Sequence, residues 1–282
     1  MSEATSTTLV PTRLGRLAVR TVGDGPVAVL WHSMFVDSRS FERVTADLGR
    51  ARRLVLVDGP GWGASDPLDQ RTSMAQCALA AEDLLDGLAD LGVVDAGPVD
   101  WVGNAWGGHV GYRIAGTRPE RLRTLVAASA PTTPLPENRR RNLSALSHVV
   151  ARTGPRGPLR AAVASAQLTD ATRAGDPGAV GVLNACLDDA RPRSVAQTLR
   201  SFVVGRTDLG GELRRSPVPV LLLAGDDRGD LTPEQARESA AGCADARVVV
   251  VRGARTLLPL ERPAEFTAAV LDFWDRHPPR PR

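Results

Sequence analysis

The stretch that decides the fold is residues 99–110, which read VDWVGNAWGGHV. Its first half is apolar, as a buried strand is, and its second half begins a helical pattern. Gly103 and Gly107 bracket the turn between the two, and glycine permits a sharper turn than other residues do. Such a turn projects its central residue, Ala105, above the edge of a sheet. It also directs the first amide N–H groups of the helix at the same point.

Alternating strand-like and helix-like segments extend to both sides of this stretch. Short apolar runs predict strands at 17–22, 27–30, 54–57, 99–102, 218–224 and 247–251. Amphipathic patterns predict helices at 40–48, 74–91, 109–117, 233–241 and 263–274. This alternation is typical of a mostly parallel, doubly wound sheet with helices on both faces. The predicted fold class is therefore α/β.

Residues 131–217 interrupt the alternation. They contain helical patterns separated by Gly-Pro and Pro-Gly pairs, and no convincing strand. We interpret them as a helical lid subdomain inserted into a core made of residues 1–130 and 218–282. A lid over the carboxyl edge of the sheet would exclude water and shape a pocket.

Composition excludes several classes of protein. The chain has 282 residues, of which 43% are apolar and 24% charged, and these values are typical of one globular α/β domain. No run approaches the length of a membrane-spanning helix. Residues 1–8 lack the pattern of a signal peptide, so we expect a cytoplasmic protein without a membrane partner. All 35 basic residues are arginine, which is typical of a GC-rich bacterial genome and excludes Schiff-base chemistry on lysine.

Charged residues, cysteines and histidines exclude further classes. The net charge is only +3 and no basic stripe is present, so we expect no nucleic-acid partner. Three widely separated cysteines and four histidines without metal-ligand spacing predict neither a disulfide framework nor a metal site. We also expect no cofactor, which leaves a small molecule as the predicted partner.

Together with residues 99–110, four other segments make the sequence resemble the α/β-hydrolase superfamily over nearly its whole length. Residues 103–108, GNAWGG, match the G-x-S-x-G nucleophile elbow of that family, with Ala105 at the serine position. Residues 58–66, DGPGWGASD, match its D-x-P-G-x-G-x-S-D loop in full. Residues 32–35, 219–227 and 253–263 resemble its oxyanion loop, the strand before its catalytic acid and the segment of its catalytic histidine. The resemblance implies the α/β-hydrolase fold.

The catalytic triad of this family is not present. Ala105 has no atom that could attack a carbonyl carbon, and the histidine position falls on Thr256, preceded by Arg255 in place of a glycine. The loop of the catalytic acid is one residue longer than the family pattern, and it contains three candidates for that position: Asp227, Arg228 and Asp230. Ordinary ester hydrolysis is therefore not the expected reaction.

The backbone part of the family's site does not depend on side chains. The resemblance implies that the N–H groups of Met34 and Trp106 form an oxyanion hole, and such donors contribute about 3 kcal/mol in a dry site. Replacing serine by Ala105 opens room above the elbow. We expect an apolar cavity under the lid, lined by Trp31, Phe35 and the side chains of Met34 and Trp106.

Several polar residues are candidates for contact with a ligand. Ser33 could donate to a bound oxygen, and Asn104 and Thr256 lie beside the elbow and at the histidine position. Arg255 is expected to pair with the aspartates of the 226–230 loop, Asp227 among them, and could bind an anionic group.

The histidines have competing interpretations. His32 is either tied to loop backbone or available to the substrate. His148 is placed in a lid helix, either at the surface or as a polar group facing the cavity. His109 is placed at the start of the helix after the elbow and is expected to face away from the pocket.

Three functions fit these observations. The first is a non-hydrolytic enzyme, a cyclase, isomerase or lyase, that acts on a hydrophobic, carbonyl-bearing metabolite of a natural-product pathway by holding and polarising it. The second is a catalytically inactive binder of small molecules. The third is a hydrolase, either inactivated by serine-to-alanine replacement or using unorthodox residues such as His148.

Overall fold

The computed structural model describes residues 7–279. Residues 1–6, on which the prediction of no signal peptide largely rests, lie outside this range, as do residues 280–282. Eight strands form one sheet: β1 (Thr7–Thr12), β2 (Gly15–Val22), β3 (Val27–Trp31), β4 (Arg53–Asp58), β5 (Val99–Asn104), β6 (Leu122–Ala128), β7 (Val220–Gly225) and β8 (Ala246–Val251).

The order of the strands in the sheet is β1-β2-β4-β3-β5-β6-β7-β8. Strands β1 and β2 run antiparallel to their neighbours, and β4, β3, β5, β6, β7 and β8 are parallel. The chain reverses direction across the sheet next to β3, so β3 and β5 lie side by side at its centre. The predicted mostly parallel α/β sheet is confirmed, and its central strands carry the loops expected to form the site.

Twelve helices accompany the sheet in the described range: α1 (Glu42–Leu48), α2 (Met74–Asp90), α3 (Trp106–Thr117), α4 (Glu137–Thr153), α5 (Pro158–Gln167), α6 (Asp170–Gly175), α7 (Pro177–Asp189), α8 (Pro192–Thr198), α9 (Gly210–Arg215), α10 (Pro233–Ala240), α11 (Leu258–Glu261) and α12 (Pro263–Arg276). No helix in this range is both long and apolar enough to span a bilayer.

Side chains of the central strands alternate between two apolar layers. Val29 and Trp31 of β3 face the layer that contains residues of α2 and α3, whereas Ala28 and Leu30 face the layer that contains residues of α1 and α12. All five residues of β3 are buried, because helices cover both faces of the sheet. This explains why the central strands read as continuous apolar runs.

Two strands were not predicted from the sequence. Strand β1 is at the edge of the sheet and contains Pro11, which weakens a strand pattern but is tolerated at an edge. Strand β6 ends in alanines, which favour helices, yet it pairs with β5 on one side and β7 on the other. In both cases tertiary pairing outweighs local preference.

Residues 131–217 contain α4 to α9 and a π-helical turn, Leu199–Val204, and no strand. Apolar residues of this insertion form a cluster with Leu257 and Leu260 of the core. Phe202 stacks on Trp106 at the start of α3, with ring centroids 4.9 Å apart. Helix α9 packs against α3. The insertion is thus helical as predicted, and it is attached to the core around the elbow.

Candidate active site

The turn between β5 and α3 has the backbone of a strained elbow. Ala105 has φ 46° and ψ −100°, and residues other than glycine seldom adopt a positive φ. Its N–H donates to the carbonyl of Ala128 in β6 at 2.7 Å. A Cβ on Gly103 would lie 2.1 Å from the backbone carbon of Gly107, and one on Gly107 would lie 2.0 Å from the carbonyl oxygen of Trp31. The glycines therefore permit close backbone approach on both sides of Ala105.

A cavity of about 380 Å³ lies between this elbow and the helices of the insertion. Such a volume is within the usual range for a small-molecule pocket. It is lined by six of the residues predicted for the site: Ser33, Met34, Phe35, Ala105, Trp106 and Arg255. The loop after β3, the elbow and the segment after β8 thus meet where the sequence predicted.

Trp31 and His32 were predicted to contact the ligand, and this is wrong, because both are fully buried below the cavity. Trp31 stacks on Trp101, with ring centroids 5.6 Å apart. Nδ1 of His32 donates to the carbonyl of Ser33 at 2.6 Å, and its Nε2 accepts from the N–H of Gly59 at 2.8 Å. Burial lowers the pKa of His32, so the ring is neutral and both nitrogens serve the loops.

Asn104 and Thr256 are also buried and do not line the cavity, contrary to prediction. The amide nitrogen of Asn104 donates to the carbonyl of Thr256 at 2.8 Å and to that of Ala128 at 3.2 Å. The hydroxyl of Thr256 donates to the carbonyl of Ala166 at 3.3 Å. The side chains of Asn104 and Thr256 therefore connect the elbow, β6, the segment after β8 and the insertion.

Arg255 forms the predicted ion pair with Asp227, at 3.0 Å. Its other guanidinium N–H groups donate to Asp170, to the carbonyl of Asp227 and to the carbonyls of Ser165 and Leu168. All five donors are therefore engaged within the protein. Although Arg255 borders the cavity, it has no N–H left for a ligand, and Asp227 itself does not line the cavity.

Ser33 borders the cavity, but its hydroxyl donates to Oε1 of Gln167 at 3.4 Å. His148 does not reach the cavity at all. It is exposed on α4, where its Nδ1 donates to the carbonyl of Ser144 at 2.9 Å. The prediction that His148 acts as a polar group of the site is therefore wrong, since its face of α4 is directed to solvent.

His109 borders the cavity, although the sequence analysis placed it facing away. The error came from the start of the helix: α3 begins at Trp106, so His109 lies one turn after Ala105, and its N–H donates to the Ala105 carbonyl at 3.1 Å. A sequence signal for the position of His109 was present. A helix that starts at Trp106, directly after the elbow, puts His109 four residues after Ala105 and therefore on the same side of the helix.

The hydrogen bonding of His109 defines its tautomer. Nε2 lies 3.0 Å from the carbonyl oxygen of Pro131, which can only accept, so Nε2 carries the proton and Nδ1 carries the lone pair. Burial, reinforced by the charge of Arg206, lowers the pKa of His109 well below its usual range. The ring is therefore neutral at neutral pH, with one basic nitrogen available for chemistry.

The strand order, the strained elbow and the cavity above it are those of an α/β-hydrolase. The chain belongs to the alpha/beta hydrolase family, whose family model matches residues 28–270. The family inferred from residues 58–66 and 103–108 is thereby confirmed.

Comparison with curated proteins gives hydrolases. The putative carbamate hydrolase RutD of Pseudomonas savastanoi is 27% identical over 255 residues, which is 89% of this chain and 94% of that protein. A 2-hydroxy-6-oxononadienedioate/2-hydroxy-6-oxononatrienedioate hydrolase of Cupriavidus pinatubonensis is 33% identical over 113 residues, 39% of this chain and 34% of that protein. The latter match thus spans less than two thirds of the relative's length.

Solved structures share the fold over almost the whole chain. A thermophilic esterase from Thermogutta terrifontis has a TM-score of 0.86 at 22% identity, covering 97% of this chain and 100% of that one. The enol-lactonase from Burkholderia xenovorans has a TM-score of 0.85 at 22% identity, covering 95% and 100%. At this identity the likeness establishes the fold alone.

Proposed function

We propose that this protein is a non-hydrolytic enzyme, an isomerase or cyclase, that binds a small carbonyl compound in the cavity and converts it through an enolate. The observation that carries the proposal is the combination, one helical turn apart, of Ala105 at the nucleophile position and a neutral His109 at the cavity wall. A site of this kind can polarise a carbonyl and move a proton, but its elbow cannot form an acyl-enzyme intermediate.

The amide N–H groups of Met34 and Trp106 are the proposed oxyanion donors. Trp106 is the first residue of α3, so its N–H has no acceptor within the helix. Both residues border the cavity, on the loop after β3 and on the elbow. Donors that are already in position stabilise the negative charge that develops on a carbonyl oxygen. In a water-excluded site, loss of one such donor raises the activation free energy by about 3 kcal/mol.

His109 is the proposed base. Its Nδ1 takes a proton from the carbon next to the carbonyl, the C–H electron pair forms the enolate C=C bond, and the carbonyl π electrons move to the oxygen held by the two amides. In the isomerisation of a β,γ-unsaturated carbonyl compound the enolate is a conjugated dienolate, and the imidazolium returns the proton to its γ carbon while the C=C bond moves into conjugation with the carbonyl. In a cyclisation the enolate carbon attacks a second carbonyl of the same molecule, and the imidazolium protonates the resulting alkoxide.

Hydrogen–deuterium exchange of 2-pentanone in D₂O, followed by proton NMR, tests the proposed enolisation. The protein is expected to accelerate exchange next to the carbonyl, and His109→Gln to reduce this acceleration by about 100-fold or more. His148→Gln is the matched control, because it removes an exposed imidazole outside the cavity. Saturable binding of 2-pentanone without any exchange would support the inactive binder instead.

Direct hydrolysis is the second candidate, and the relatives named as hydrolases favour it. In that reaction Nδ1 of His109 would activate a water molecule that attacks the polarised carbonyl without a covalent intermediate. Cleavage of p-nitrophenyl butyrate that is lost in His109→Gln, with ¹⁸O from water in the butyrate, distinguishes this reaction from enolisation.

The insertion acts as a lid in both proposals. Support for this role is that residues of α4, α5 and α6 line the cavity, that Phe202 stacks on Trp106, and that Arg255 bonds to α5 and α6. Exclusion of water strengthens the hydrogen bonds from the two amides and protects an enolate from premature protonation by solvent.

A further inference from the structure

Arg206 differs from the other arginines that border the cavity. Five arginines line it, and four of them have carboxylate partners: Arg139 with Asp230 at 3.2 Å, Arg173 with Asp170 at 2.9 Å, Arg228 with Asp227 at 3.2 Å and Arg255 with Asp227 at 3.0 Å. Within residues 7–279, no ion pair is formed by Arg206.

Arg206 is half-buried in the wall of the cavity. Its Nε is buried and has no hydrogen-bond partner in the described part of the chain. Burial also lowers the pKa of Arg206, although nearby Asp230 opposes this effect. Asp230 is already bonded to Arg139. A desolvated cation without a counter-ion is costly, and a bound anion would remove that cost.

We propose that Arg206 binds a carboxylate of the substrate, so that the enzyme acts on an oxo-carboxylate rather than on a neutral carbonyl compound. This inference rests on the proposed function for the position of the carbonyl group at the elbow. The planar fork of a guanidinium binds the two oxygens of a carboxylate through two parallel N–H groups. Met34, Phe35 and Trp106 provide the apolar wall for the carbon chain between the two groups.

Arg255 was predicted to form an ion pair, with anion binding as an alternative, and the contacts of the two side chains favour Arg206 as the anion-binding residue. All donors of Arg255 are occupied, whereas the buried Nε of Arg206 has no hydrogen-bond partner among residues 7–279. An anion on Arg206 has a second consequence. Because the charge of Arg206 lowers the pKa of His109, neutralising that charge makes Nδ1 a stronger base. The substrate carboxylate would thus promote proton transfer as well as binding.

Levulinate and 2-pentanone form a matched pair of probes, since both are methyl ketones of five carbons and only levulinate has a carboxylate. We expect exchange next to the carbonyl to be faster for levulinate by about tenfold or more in kcat/KM. Arg206→Gln is expected to bring the ratio of the two rates close to one, and Arg206→Lys to restore it in part. Arg173→Gln is the control, because it removes a cavity arginine that is already paired.

Calorimetric titration with levulinate, methylphosphonate and 2-pentanone separates the two proposals, after circular dichroism has confirmed that each variant is folded. Arg206-dependent binding of levulinate without exchange would leave the carboxylate site standing and overturn enolisation. Equal exchange of both ketones would leave enolisation standing and overturn the carboxylate site. Tighter binding of methylphosphonate than of levulinate would also overturn it, in favour of a phosphate site.

Discussion

Ala105 has a strained backbone conformation. In hydrolases such a conformation exposes a nucleophilic side chain, but the methyl group of Ala105 cannot act as a nucleophile. The conformation persists because β5 and β6 hold the N–H of Ala105 on Ala128 while Gly103 and Gly107 leave no space for rearrangement. Backbone strain of this kind costs about 1–3 kcal/mol and is retained where the surroundings impose it. In the proposed function, the elbow serves to direct the N–H of Trp106 into the cavity.

Replacement of Ala105 by glycine should stabilise the protein. Glycine adopts positive φ without steric cost, so Ala105→Gly is expected to raise the free energy of unfolding by about 1 kcal/mol in a urea titration. Ala115→Gly, in the interior of α3, is the matched control and is expected to lower it by about 1 kcal/mol or more. Destabilisation by Ala105→Gly would show that the elbow is not strained.

Replacement of Ala105 by serine should not create an esterase. The resemblance to the family predicts Thr256 at the position of the histidine base, and the hydroxyl of Thr256 donates to the carbonyl of Ala166. A serine without a base retains only what the oxyanion hole and binding provide. Ala105→Ser is therefore expected to hydrolyse p-nitrophenyl acetate no faster than the parent and to resist labelling by a fluorophosphonate. Rapid labelling would mean that His109 or another group activates the new hydroxyl.

At the scale of elements, Arg255 joins the insertion to the core. Its buried guanidinium connects the segment after β8 with the carbonyls of Ser165 and Leu168, near the end of α5. Its backbone N–H donates to Glu261 of α11, whose other carboxylate oxygen accepts from the N–H of Thr169. Arg255 and Glu261 thus connect the end of α5 and the start of α6 to the segment after β8 and to α11.

Arg255→Gln should loosen this junction. Buried carbonyls would lose their donors, at a cost of about 1–3 kcal/mol, and amide hydrogen exchange in residues 165–175 is expected to accelerate at least tenfold. Arg160→Gln is the control within the same insertion, because it breaks only a surface pair with Asp188 and should cost less than about 1 kcal/mol. Unchanged exchange in Arg255→Gln would show that the apolar cluster alone holds the insertion.

At the scale of the whole molecule, two buried neutral histidines should make the protein less stable in mildly acidic solution. His32 and His109 have lowered pKa values in the folded protein because burial disfavours their charged forms. Below about pH 6.5, the ordinary pKa of histidine, the unfolded chain binds protons on these rings and the folded protein does not. The contribution of these two rings to the free energy of unfolding is therefore fully present above pH 6.5 and is lost as the pH falls below it.

Unfolding titrations between pH 6.5 and pH 5.0 should measure this loss. The free energy of unfolding is expected to fall by up to about 4 kcal/mol over the interval, or about 1.4 kcal/mol per pH unit for each ring. His109→Gln should halve the slope, because one of the two buried rings is then removed. Carboxylates with lowered pKa values, such as Asp66, act at lower pH and do not enter this window. A flat profile would contradict the neutral state of the rings.

Local patterns were sufficient for much of the architecture and for part of the site. The β5–α3 turn could be predicted because its glycines and apolar strand are contiguous, and so could the helical nature of residues 131–217. Strand β6 and the start of α3 were missed, and with the latter the orientation of His109. A shift of three residues in a helix start rotates a side chain by most of a turn, so a correct helix can still give a wrong cavity wall.

The sequence by itself determined the family and the mostly parallel sheet, because the motifs at residues 58–66 and 103–108 and the apolar runs of the strands are each contiguous in the chain. Only the tertiary structure decided which polar groups face the cavity. Arg206 and Arg255 carry the same charge, but distant carbonyls and carboxylates occupy the second and leave the first without a partner. The availability of a charged group depends on what surrounds it in space, and those neighbours come from segments far apart in the chain.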